Sequence, residues 1–143
     1  MSNIKTAAFR LINFEFPDVI MRGNLRPTVE TLSVNFSANG FYDEKECVFD
    51  LNFSTNVFGE ESSPYITVSC KARYKFDGAI LLTDIPEYFY ANSIAILFPY
   101  VRAYISLLTT QANQKAVILP TYNLSSLASE LKKNTIVSAN AEH

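Results

Sequence analysis

The 143-residue chain has no tryptophan, four glycines, two cysteines and one histidine, and that histidine is the last residue. The missing imidazoles exclude the most. Without one in the body of the chain, no Ser–His or Cys–His pair can be assembled, and the usual general base near neutral pH is lacking. A tetrahedral zinc would need two more good ligands beside Cys47 and Cys70. No metal or other cofactor is therefore expected. Two cysteines do not make a disulfide framework, and both read as buried free thiols in strands. The carboxylate pairs Asp43-Glu44 and Glu60-Glu61 fall in polar, turn-like stretches, where solvated charge is the simplest reading. Nothing in the sequence argues for an enzyme.

Basic charge is scarce as well. Twelve Lys and Arg stand against fourteen Asp and Glu, for a net charge of −2. No basic stripe is available to neutralise phosphates, so nucleic acid is not an expected partner, nor is polybasic attachment to a membrane surface. No stretch of 18 apolar residues occurs, so direct membrane insertion is not expected. Lys5, Arg10 and Glu15 interrupt the N-terminal region, which lacks the apolar core of a signal peptide. The expected location is cytoplasmic, and the length suits one domain, 1–143.

What the chain does have is apolar and aromatic side chains: 48% hydrophobic residues, including 11 Phe and 8 Tyr. Their period changes along the sequence. From about Ala8 to Phe76 it is two residues, the mark of half-buried antiparallel strands. The first strand is expected over Ala8 to Phe16, stopped by Pro17-Asp18, with Ile12, Phe14 and Phe16 on one face. The second runs from Val29 to Phe36, the third from Cys47 to Phe58 and the fourth from Tyr65 to Phe76. A turn at Asn39-Gly40 would pair Phe36 with Asp43. A longer loop from Phe41 to Glu46 pairs Phe36 with Cys47 and Val34 with Phe49. The second register keeps the apolar side chains together and is preferred; it leaves Phe41 and Tyr42 in a loop.

From about Ser93 the period becomes helical. Ile94, Leu97, Phe98, Val101, Ile105 and Leu108 make one apolar stripe, and Ile96, Tyr100, Ala103, Tyr104 and Leu107 make a second. Together they cover roughly 220° of the helix circumference at about 100° per residue. Pro99 suggests that the helix proper begins near Phe98-Pro99 after a bent segment. A short helix follows over Leu124 to Lys133, behind Asn123 as N-cap, and 134–143 reads as a polar tail. The fold class is thus α+β: a four-stranded antiparallel sheet, as a meander or near relative, followed by a long helix and a short C-terminal helix. One sheet dries one side of the long helix, and the short helix cannot span its length. A second copy of the chain is the expected cover for the other stripe, Ile96, Tyr100, Ala103, Tyr104 and Leu107.

The string Ile96-Leu97-Phe98-Pro99-Tyr100-Val101-Arg102 resembles the ILFPYAR at the head of the long helix in the SecB and SecB-like protein-export chaperones. Asn123-Leu124-Ser125-Ser126-Leu127 is similar to that family's N-F-D-A-L segment, with Pro120 near its preceding proline. Asn13 to Pro17 is similar to its SFEAP, and Gly59-Glu60-Glu61 to its GEE turn. The resemblance covers nearly the whole chain in order. It implies a homotetramer, a dimer of dimers with the long helices between two sheets. It also implies an ATP-independent holdase that binds unfolded polypeptides in aromatic-lined grooves for export and passes them to SecA. The aromatics without an assigned strand or helix then become candidate client contacts: Phe41, Tyr42, Phe58, Tyr88, Phe89, Tyr90 and Tyr122, with Leu119. The family docks SecA on an acidic sheet surface. Here Leu11 and Thr67 stand at two of those positions, which leaves Glu15. A SecB-like chaperone dedicated to another client, such as an antitoxin, is the alternative within the family. A lipid-sized cavity between sheet and helix is the alternative outside it.

Overall fold

The computed structural model describes residues 8–120 and 124–138. Five strands form one sheet: β1 (Phe9–Met21), β2 (Ser33–Asp43), β3 (Val48–Phe58), β4 (Ile66–Phe76) and β5 (Thr135–Val137). Two helices complete the fold, α1 (Glu87–Gln111) and α2 (Ser125–Lys133). The sheet order is β1-β4-β3-β2-β5. Only β2, β3 and β4 form the expected meander; β1 crosses the sheet to pair antiparallel with β4. The short β5 lies in what the sequence suggests is a polar tail, and pairs parallel to β2. Exposed Ile136 and Val137 are the apolar β-branched pair in that tail.

β3 and β4 have the expected boundaries to within a residue, and their alternation is plain. Ile66, Val68, Cys70, Ala72, Tyr74 and Phe76 are all buried on one face of β4. β1 departs from its expected form in two places. It does not stop at Pro17-Asp18 but slips register between Glu15 and Asp18 and continues to Met21. A proline is tolerated there because β1 is an edge strand and the bulge needs no ladder donor. A second slip between Leu11 and Asn13 leaves Ile12 as the extra residue. Ile12 is therefore turned outward, 45% exposed, and does not share the face of Phe14 and Phe16.

The β2–β3 connection also corrects the sequence reading. Neither register considered above is found, because β2 runs on through Asn39-Gly40 and pairs Phe36 with Thr55 and Tyr42 with Phe49. The turn is 44–47, where the Asp43 carboxylate accepts from the Lys45 and Glu46 amides at 3.0 and 3.1 Å. Cys47 takes a φ of 59° to close it. Gly40 is required inside the strand: a Cβ there would lie 2.4 Å from the Phe49 ring. Phe41 and Tyr42 are thus strand residues, one on each face. The apolar face that the register argument sought to preserve is kept, extended by Ala38 and Tyr42.

α1 begins at Glu87 and is continuous through Pro99. The proline sits on the exposed side, where a missing backbone donor leaves no buried carbonyl orphaned. Ile94, Leu97, Phe98, Val101 and Ile105 are buried against the sheet. At its first turns, the Phe89 ring meets those of Phe9, Phe49 and Phe76 at centroid distances of 4.7, 4.8 and 4.9 Å. The Tyr74 hydroxyl donates to the Ser93 carbonyl at 2.6 Å, inside the core. α2 places Leu127 and Leu131 in that core, and its Glu130 carboxylate accepts the Ala38 amide at 3.1 Å.

Candidate functional site

The crossing of β1 over the sheet creates the site. The connection 22–32 must pass the end of β4 to reach β2, and it is tied down along the way. The Arg22 amide donates to the Tyr65 carbonyl at 2.8 Å. The Glu60 carboxylate, from the β3–β4 turn, accepts the Thr28 amide at 3.0 Å and its hydroxyl at 2.6 Å. That bond to Thr28 holds the Glu60 carboxyl below the usual glutamate range. Gly59 lets Pro27 pass close: a Cβ there would sit 3.1 Å from the Pro27 Cα.

The opposite wall is the loop after α1. Buried Thr109 folds it back, donating to the Ile105 carbonyl at 3.1 Å and accepting the Val117 amide at 2.9 Å. Val117 and Leu119 are buried beneath it. Between the two walls lies a cavity of about 250 Å³, lined by Pro27, Val29, Leu32, Tyr65, Val117 and Ile118 among others. Val29 and Ile118 are largely exposed, one on each wall. The Tyr65 hydroxyl donates to the Gln114 Oε1 at 3.2 Å, and burial raises its pKa. Lys115 Nζ donates to Glu30 at 2.8 Å, from one wall to the other, and this ammonium lowers the pKa of the Glu30 carboxyl. The groove can receive an extended segment that carries apolar side chains. A second cavity, of about 610 Å³, lies at the other end of β4, lined by Phe76, Ala79, Ile80, Leu81 and Pro86 with Glu44, Asp77 and Asp84.

The two stripes of α1 have different fates. The first is buried apart from half-buried Leu108, whereas Ile96, Tyr100 and Leu107 of the second are 40%, 47% and 54% exposed. Ala103 is exposed and Tyr104 half-buried. Tyr104 stacks on Phe16 at 4.1 Å and Tyr100 tilts against Phe14 at 4.5 Å, so the open face of α1 is continuous with β1.

Of the eight residues suggested as client contacts, the seven described do not gather in one place. Tyr42, Phe89, Tyr90 and Leu119 are inside the chain's own core, since the first belongs to a strand and the next two to the opening of α1. Phe41 is exposed on the outer sheet face beside Ile136. Phe58 is half-buried at the end of β3, and Tyr88 is exposed on the first turn of α1. Tyr122 lies outside the described residues, as does the Asn123 cap; Leu124 takes the N-cap position, without a side-chain hydrogen bond. The groove residues Val29, Tyr65 and Ile118 were not among the candidates. Val29 and Ile118 are aliphatic side chains in the connections 22–32 and 112–120, outside the aromatic set, and Tyr65 read as the first residue of the fourth strand. Glu15 is exposed on the outer sheet face, opposite Lys71 and near the Arg73–Asp50 pair. Its surroundings are of mixed charge rather than acidic.

Both cysteines are buried and free, and burial pushes the Cys70 thiol up to about 12. Among the described residues, no group of three or more His, Cys, Asp and Glu could hold a metal ion.

No protein-family model matches the chain. Its fold is similar to that of the Mycobacterium tuberculosis Rv1957 SecB-like chaperone, solved in complex with a ChAD peptide from the Rv1956 HigA1 antitoxin. The TM-score is 0.62 over 80% of this chain and 88% of that one, at 15% sequence identity. A Streptococcus agalactiae protein of unknown function matches at a TM-score of 0.45 and 14% identity, over 82% of this chain and 100% of that one. In sequence, an uncharacterized protein of Methanocaldococcus jannaschii is 50% identical over 42 residues, which span 29% of this chain and 27% of that protein.

Proposed function

We propose that this chain, which has a SecB-like fold, is a chaperone that holds segments of unfolded polypeptide in the groove between 22–32 and 112–120. The observation that carries this reading is the groove itself. It brings the apolar side chains of Pro27, Val29, Leu32, Val117 and Ile118 together beside the polar groups of Glu30, Gln114 and Lys115, and it opens to solvent at Val29 and Ile118. Unfolded chains share exposed apolar side chains and unpaired backbone, and such a groove takes them without reading sequence. Burial of apolar side chains in such a groove is spontaneous, so the holding proposed needs no ATP. The open stripe of α1 supports assembly into a homotetramer, a dimer of dimers in which a second copy of the chain covers Ile96, Tyr100 and Leu107.

A dedicated client, such as an antitoxin, fits better than general export through SecA. The fold neighbour was solved with an antitoxin peptide, and the outer sheet face around Glu15 carries Lys71 and Arg73 among its acids. The purified protein should suppress aggregation of several unrelated unfolded substrates at stoichiometric ratios without nucleotide. Val29→Asp with Ile118→Asp should abolish that protection while leaving the fold intact by circular dichroism. Failure of the unaltered protein to protect any of them rules the reading out.

A further inference from the structure

The groove walls are held by two contacts of different physical kind. At Thr28, a carboxylate accepts two hydrogen bonds and Pro27 packs over Gly59. Short-range bonding and packing of this sort respond little to dissolved salt. At Glu30, two residues further on, a single ion pair reaches Lys115 on the other wall. Its side chains are 88% and 79% exposed, and a pair in that setting is weak and readily screened. The partners are 85 positions apart in the sequence and belong to segments that no sheet ladder joins. Val29 lies between the firm contact and the weak one, so rotation about Thr28 would move Val29 away from Ile118 and widen the mouth. Arg26, on the same wall as Glu30, donates to the Gly23 carbonyl at 3.1 Å, and the cation paired with Glu30 is Lys115.

We propose that residues 22–32 form a hinged strap, with Thr28–Glu60 as the hinge and Glu30–Lys115 as a latch that closes the groove mouth. Polypeptide enters when the latch opens. This rests on the groove being the polypeptide site proposed above. The latch and the hinge have opposite consequences. Removing the latch favours the open groove and speeds capture, by about two- to fivefold for an exposed pair. Removing the hinge lets the whole wall drift and weakens capture.

Methyl NMR of Val29 and Ile118 in the 143-residue protein tests the strap without any client. In the unaltered protein both methyl signals should move as salt is raised, toward the positions they hold in Glu30→Gln and Lys115→Met at low salt. In those variants they should no longer respond to salt, and the double exchange Glu30→Lys with Lys115→Glu should restore the response. In parallel, the association rate of a reduced, unfolded substrate should rise about two- to fivefold in Glu30→Gln and fall in Glu60→Ala. Methyl signals in Glu30→Gln that match the unaltered protein at low salt, or that still move with salt, overturn the latch. If the methyl signals behave as stated but no form binds the unfolded substrate, the strap stands and the polypeptide reading of the groove falls.

Discussion

Phe89 and Tyr74 illustrate how much single side chains decide here. Phe89 brings rings from β1, β3 and β4 together under the first turns of α1, and Tyr74 ties that cluster to the helix through Ser93. Replacing Tyr74 by Phe keeps the ring and loses the bond, which should lower stability by about 1 kcal/mol in urea denaturation with an unchanged slope. The same variant has a signature in alkali. Burial holds the Tyr74 phenol well above its ordinary value, so its contribution is complete below about pH 10 and is lost as pH rises beyond it, when only the unfolded chain can ionise. Tyr74→Phe should therefore lose less stability between neutral and alkaline pH than the unaltered protein. Tyr74 was legible in the sequence because it sits in an uninterrupted alternation. Tyr42 was not, because Ala38 and Gly40 dilute the apolar face just before it, and a strand that continues through Asn39-Gly40 looks like one that turns there.

Elements were legible where one period persisted. β3, β4 and the buried stripe of α1 follow their patterns over ten or more residues. β1 breaks its own pattern twice, at Ile12 and at Pro17, and each bulge reverses the inward and outward assignment of the residues beyond it. β5 is too short for any period and gains its place by pairing with β2. The loop after α1 depends on Thr109, a small polar residue on the buried face of that helix, whose hydroxyl both caps the helix and holds Val117. Thr109→Val should leave the buried Val117 amide without an acceptor and cost about 1–3 kcal/mol, read as a lowered thermal midpoint. Because Val117 is part of the groove wall, substrate binding should weaken at temperatures where the variant is still folded.

For the whole molecule, two features matter: an open apolar face on α1 and a strand that crosses the sheet. The first was visible as two stripes on one helix, since helical geometry alone converts spacing into direction. The expected outcome in light scattering is a four-chain assembly, and Tyr100→Asp with Leu107→Asp should yield a smaller assembly at the same concentration. The second feature was hidden, because alternation fixes which way a strand faces and says nothing about which strand lies beside it. The crossing made the groove, and it also orders events at birth. Phe9 pairs with Phe76, so the first strand to leave the ribosome must wait for the fourth, on the order of several seconds at translation speed. During that interval Phe9, Phe14 and Phe16 have nothing to pack against. The newborn chain is then itself an oily, half-made polypeptide in need of shelter.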